Sequence, residues 1–321
     1  MRAFGIFALL ASCAWAQEIA FTLSLADASR GNRSVSVKIC LQSPELRSDA
    51  VGLDLFLFAH GGGLFAEDYA YLCEPLPGRI DDAVIARLVS PEDDDPMDLS
   101  LMASDLLFLI PALQKQRGNA SSPLYEKLSD KVILAGHSMG AAAAILAGAQ
   151  VQTPLSILAL APGFWGDAQV ALLRESACFV SRNSHLSSVV VVAGDQDCAN
   201  SVTAQARPIW GNLTSCSSPP ATERTPTLTL AVLHGVTHCQ WTAPTKGQCD
   251  FDVACSAAAR LPRSEQQTQG KLLLSSFSYA PSTFEVLQSL NASYVSSAFG
   301  NESLAAKLPS LCPCAGPVLM V

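Results

Sequence analysis

The chain is short of charge and of aromatic rings. Only 15% of its 321 residues are Asp, Glu, Lys or Arg, and 7% are Phe, Trp or Tyr. Cations are the scarcer sign, 20 against 28 acidic residues, for a net charge of −8. That deficit excludes a phosphate backbone or an anionic membrane surface as the main partner, and few aromatics leave little for bases to stack on. Nucleic-acid binding is excluded on both counts. Beyond the N-terminus no apolar run is long enough to span a bilayer, so no stable membrane span is expected. No Cys-x-x-Cys pair occurs, and Cys312-x-Cys314 without a nearby histidine is poor ligand spacing, so no metal site is expected.

What is present is apolar bulk. At 49% hydrophobic residues the chain can bury a large core, which rules out disorder. The N-terminus reads as a secretory signal peptide over residues 1–16: Arg2, an apolar run from Ala3 to Ala11, then Ala14-Trp15-Ala16. Removing it leaves 19 basic against 28 acidic residues, a net −9. Two counts agree with export to the extracellular space. Of 11 cysteines, Cys13 leaves with the signal, and an even ten remain, read as up to five disulfides. Of seven asparagines, five begin an N-x-S/T triplet: Asn32, Asn119, Asn212, Asn291 and Asn301, read as glycosylated surface loops.

The hydrophobic pattern alternates strand with helix. Val35 to Leu41 alternates apolar and polar residues, as an outer strand would. Leu53 to Ala59 is almost continuously apolar, as a strand buried on both faces would be. Further strands are expected at Ala83–Val89, Val132–Ala135, Ile157–Ala161, Val189–Ala193 and Leu228–Leu233. Helices are expected at Leu99–Gln114, at the alanine-rich Ala141–Gln150 and at Ser264–Phe277. The acidic loop Pro91–Asp98 is assigned to solvent. Alternating strands and helices specify an α/β fold with a mostly parallel sheet. With no repeat and no long linker, residues 17–321 read as one domain ending in an irregular cysteine-containing tail.

The chemistry centres on Gly136-His137-Ser138-Met139-Gly140, set between an apolar strand and the alanine-rich helix. In a Gly-x-Ser-x-Gly elbow the serine sits on a strained strand-to-helix turn, and its hydroxyl is lifted clear of the sheet. The helix N-terminus behind it favours developing negative charge. A serine nucleophile needs a base, and there are five histidines. His137 lies inside the elbow, His60 heads a glycine run, and His185 lies in a polar stretch. His234 ends a strand. His238 follows on a loop past that strand and is the expected base. The orienting acid should follow the strand after the elbow, where Asp195 and Asp197 are both candidates. His60-Gly61-Gly62-Gly63 closes the early buried strand, and its Gly62 N–H with that of Met139 could form an oxyanion hole. Gly61, Gly63, Phe65 and Trp165 are candidate substrate-binding residues.

These segments, Phe58 to Gly63, the Gly-His-Ser-Met-Gly elbow, Gly194-x-x-Asp197 and Gly235-x-x-His238, resemble the α/β-hydrolase superfamily in kind and order. The elbow is similar to that of dienelactone hydrolase, chlorophyllase-like and polyester hydrolase branches. Asp105, Asp197-Cys198 and His238-Cys239 also resemble chlorophyllase-like members. Met139 stands where plant chlorophyllases usually carry Arg, and the glycine loop is more like that of lipases and esterases. The resemblance, over roughly residues 50–280, implies a disulfide-bonded serine ester hydrolase working through an acyl-enzyme, and it selects Asp197 as the acid. It implies no cofactor, and a monomer acting on a small-molecule or lipid-like ester. A non-catalytic binding protein on the same fold, or an acyltransferase with the same triad, are the alternatives.

Overall fold

The apolar runs Leu53–Ala59, Ala83–Val89 and Leu155–Leu160 are strands covered on both faces. The computed structural model describes residues 19–42, 51–74, 83–91, 95, 97–153, 155–164, 166–215, 226–243, 262–279 and 292–298. Its strands are β1 (Ile19–Asp27), β2 (Arg33–Gln42), β3 (Leu53–Ala59), β4 (Ala83–Val89), β5 (Leu128–His137), β6 (Leu155–Leu160), β7 (Leu186–Gly194), β8 (Thr227–Leu233) and β9 (Ala292–Ala298). The helices are α1 (Leu99–Gln116), α2 (Met139–Gly148), α3 (Asp167–Arg182), α4 (Arg207–Ser215) and α5 (Arg263–Tyr279). All nine strands form one sheet in the order β1-β2-β4-β3-β5-β6-β7-β8-β9. From β4 to β8 neighbours are parallel, β2 runs antiparallel to β1 and β4, and β9 antiparallel to β8.

The two-residue period of β3 divides the core. Leu55, Leu57 and Ala59 enter one cluster, with buried residues of α1 to α4, while Phe56 and Phe58 enter the other. The second cluster holds Tyr69, Tyr71 and Leu72 of a 3₁₀ segment, Ala66–Cys73, and Trp241 of a short 3₁₀ turn. Helix α5 lies beside both. Two covered faces explain why the strands from β3 to β8 read as runs rather than alternations.

The margins differ from the sequence expectation. Val35–Leu41 lies in β2, which is not the outer strand, because β1 covers it. The alternation in β1 is real: Phe21, Leu23 and Leu25 pack against the core while Thr22, Ser24 and Ala26 face water. Part of the tail expected to be irregular is strand β9, whose pairing satisfies the outer backbone groups of β8. Helices α3 and α4 were not expected. In α3, Leu173, Ala177 and Val180 are buried at i, i+4 and i+7, a helical stripe. Asp98, at the end of the acidic loop, caps α1 by accepting the Leu101 N–H at 2.8 Å.

Cross-links hold the margins to the centre. Cys40 of β2 is disulfide-bonded to Cys73, closing the 3₁₀ segment onto the sheet. Cys178, Cys198 and Cys239 are also disulfide-bonded, so every described cysteine is oxidised. The remaining cysteines and the signal-peptide reading fall outside the described residues. Asp105 on α1 takes both Arg33 (3.0 and 2.9 Å) and Arg30 (2.7 Å), fastening the β1–β2 hairpin to the helix.

Candidate active site

Loops at the carboxyl ends of β3, β5, β7 and β8 converge, the edge where open parallel sheets place their ligands. The elbow is the strained member. Ser138 has φ 55° and ψ −120°, a conformation that costs a non-glycine residue on the order of 1–3 kcal/mol. Its neighbours hold it there. The Ser138 N–H donates to Leu160 O at 2.9 Å, and its carbonyl accepts from Ala141, Ala142 and Gly163 at 3.1 to 3.2 Å. Both elbow glycines are required. A Cβ on Gly136 would lie 2.3 Å from the Gly140 carbonyl, and one on Gly140 would lie 2.2 Å from Ala59 O. Behind the serine, α2 is buried along its whole length, and its alanines let it sit against both the sheet and α1.

Three side chains from three strand ends form one hydrogen-bonded line. His238 Nε2 lies 3.0 Å from Ser138 Oγ, and His238 Nδ1 lies 2.9 Å from Asp197 Oδ2. The Asp197 carboxylate can only accept, so it fixes the His238 proton on Nδ1 and leaves Nε2 free to receive one. Asp195 is brought elsewhere. Its Oδ2 pairs with His234 Nδ1 at 2.6 Å and its Oδ1 accepts the Gly235 N–H at 2.8 Å, at the protein surface. His185 is exposed.

Sequence reasoning missed Asn200. This buried residue donates its backbone N–H to Asp197 Oδ1 at 2.6 Å, and its amide Nδ2 to Ala161 O at 2.9 Å and Ser138 Oγ at 3.4 Å. The signal was present as Asp-x-x-Asn, a carboxylate three residues before a turn N–H. Missed too was Tyr69, which no local pattern marks.

The glycine loop abuts the elbow. Gly61 packs so closely that an added Cβ would lie 3.3 Å from Ser138 Cβ. Its N–H is already spent on the Tyr69 hydroxyl, at 3.0 Å. No hydrogen bond takes the Gly62 N–H among the described residues, and Met97 Sδ sits 2.6 Å from where a Gly62 Cβ would be. The Met139 N–H is the first of α2 and has no intrahelical acceptor. Gly63 is exposed with φ 69°, and half-buried Phe65 donates its N–H to Asp68. Trp165 lies outside the described residues, as do Asn291 and Asn301. Asn32 and Asn119 are exposed at turns, while Asn212 is half-buried on α4.

Two histidines beside the site are buried and neutral. Burial pushes the pKa of His60 down, and burial with the adjacent His238 pushes that of His137 well below the ordinary value. Once unfolded, each takes up a proton below about pH 6.5. The unfolded state then binds more protons, so stability falls as pH drops, by up to about 1.4 kcal/mol per pH unit for each group. Urea midpoints at pH 7, 6 and 5 should decline, and less steeply in His137→Asn. An equal slope in that variant removes His137 from the account.

Among the described residues no group of three or more His, Cys, Asp or Glu side chains could hold a metal ion, and no helix is long and apolar enough to cross a membrane. No protein-family model matches the chain, and no curated protein sequence does either.

Proposed function

We propose that the chain is a secreted, glycosylated carboxylic ester hydrolase of the α/β-hydrolase fold. The observation that carries the reading is the line Asp197–His238–Ser138, at 2.9 and 3.0 Å, ending on a serine at φ 55°. The strand order supports it: a parallel run entered through antiparallel β2, with the serine directly after the central strand β5.

Ser138 Oγ attacks the acyl carbonyl as its proton passes to His238 Nε2. The oxyanion accepts from the Met139 and Gly62 N–H groups, and Asp197 stabilises the imidazolium. Collapse breaks the ester C–O bond, and the departing alkoxide takes the proton from Nε2. The acyl group is then on Ser138. Water, deprotonated by His238, attacks that acyl carbon. The second oxyanion collapses, the bond from the acyl carbon to Ser138 Oγ breaks with release of the carboxylic acid, and Oγ takes its proton back from His238 Nε2. The fall in barrier comes mainly from donors positioned before charge develops. The reading adds no cofactor, and takes the protein as a monomer acting on a small-molecule or lipid-like ester.

A fluorophosphonate probe tests it. The purified protein should take up one probe per chain, on Ser138, and should turn over at least one of a panel of short-chain, long-chain, polyester and chlorophyll esters. No labelling and no turnover would sink the reading.

A further inference from the structure

We infer that Tyr69 is the positioning residue of the oxyanion-binding loop: its hydroxyl ties the Gly61 peptide to the nucleophile elbow, and so aims the Gly62 N–H. The inference rests on the ester-hydrolase reading above.

The direction of each hydrogen bond follows from the partners. The Gly61 N–H can only donate, so the Tyr69 oxygen accepts it, at 3.0 Å. The Tyr69 proton is then directed at His137 Nδ1, 2.7 Å away. His137 must therefore carry its own proton on Nε2. The hydroxyl is suited to this role, because burial raises its pKa well above that of an ordinary phenol and it keeps its proton. One oxygen thus couples the loop after β3 to the residue next to Ser138 after β5. Among the described residues no other side-chain hydrogen bond joins those two loops directly.

Neither end of this tie is loose. The Tyr69 ring is fully buried, stacked at a tilt on Phe58 with centroids 4.8 Å apart, and on His137 at 5.9 Å. It belongs to the segment that the Cys40–Cys73 disulfide closes onto β2. Gly61 is held by its carbonyl too, which accepts from the Leu64 N–H at 3.1 Å and lies 2.9 Å from His60 Nδ1. An added Cβ there would lie 3.0 Å from Leu64 Cδ1 and 3.2 Å from His137 Nδ1. With both sides of Gly61 fixed, the next N–H along, that of Gly62, has its direction set. Preorganised donors matter most where charge develops, and a displacement of ~1 Å can cost a hundredfold in rate.

Tyr69→Phe removes the hydroxyl and keeps the ring. Active sites are counted with the fluorophosphonate probe, so misfolded protein does not enter the comparison. Per active site, kcat/KM should fall by roughly tenfold to a hundredfold, with KM changed by less than about threefold. A boronic acid, which forms a tetrahedral adduct on Ser138 with an oxygen in the same hole, should lose affinity by the same factor. A merely structural Tyr69 would lower the count of active sites and leave boronate affinity per site unchanged. That outcome overturns the inference, as does no change in either quantity. Should Tyr69→Phe fail to fold, the tie is cut from the other end. His137→Leu should lose boronate affinity, whereas His137→Asn, with an amide oxygen near the place of Nδ1, should keep most of it. Equal affinities in those two variants also overturn it. If the wild-type protein takes up no probe, it is the hydrolase reading that has failed.

Discussion

Ser138→Ala should lower ester turnover by a factor on the order of 10⁴ to 10⁶, the usual cost of deleting a serine nucleophile whose base and oxyanion donors remain. The loss is chemical and not structural. The Ser138 hydroxyl meets only His238 Nε2 at 3.0 Å and Asn200 Nδ2 at 3.4 Å among the described side chains. Its backbone contacts, to Leu160, Ala141, Ala142 and Gly163, do not involve the side chain. Alanine therefore keeps the turn. The unfolding midpoint should correspond to a change within about 1 kcal/mol, the net worth of an ordinary hydrogen bond. Turnover close to wild type in a folded Ser138→Ala would remove Ser138 from the mechanism.

Asp197→Asn should cost about 10⁴ in turnover, and Asp195→Asn no more than about tenfold. The two sit two residues apart but in opposite circumstances. Asp197 is buried, and its Oδ1 accepts the Asn200 backbone N–H at 2.6 Å. An asparagine there keeps its one acceptor toward that N–H, which turns its NH₂ toward His238. Nδ1 must then accept, the imidazole proton moves to Nε2, and the ring can no longer receive the Ser138 proton. Asp195 faces His234 at the surface, where the two side chains are 25% and 55% exposed. Solvent screens such a pair, and asparagine still offers an oxygen to the Gly235 N–H. Turnover of one activated ester by both folded variants decides it. If Asp195→Asn is the more damaged, Asp195 and not Asp197 orients the base.

What could be read in advance followed how local the cause was. Strand β3 was predicted residue for residue, because burial on both faces leaves an unbroken apolar run. β4 was equally clear. The elbow was legible because its glycines answer steric demands within a five-residue turn. The choice of His238 over His234 came from a loop's position past its strand, and the two histidines do face different carboxylates. Less local causes were invisible. β9 pairs with a strand more than sixty residues earlier, so nothing in its own composition announces it. Tyr69 reaches across 68 residues of sequence to His137, and no spacing rule covers such a contact. β1 and α3 are different, since the alternation of β1 and the helical periodicity of α3 both lie in their own residues.

The burial of α2 bears on when the protein loses its activity. Segments that open locally are those with exposed backbone and few apolar neighbours, and they exchange their amide protons without the rest of the molecule unfolding. Helix α2 has neither property: every residue from Met139 to Gly148 is buried between the sheet, α1 and α3. From Ala141 onward its hydrogen-bonded amides should exchange only when the whole domain melts. The serine thus sits at the head of the last cooperative unit to open, whereas Gly62 and Gly63 on the opposing loop are half-buried and exposed. Warming should therefore loosen Gly62 and Gly63 before α2 opens, so that ester turnover fades while the amides of that helix are still protected from exchange.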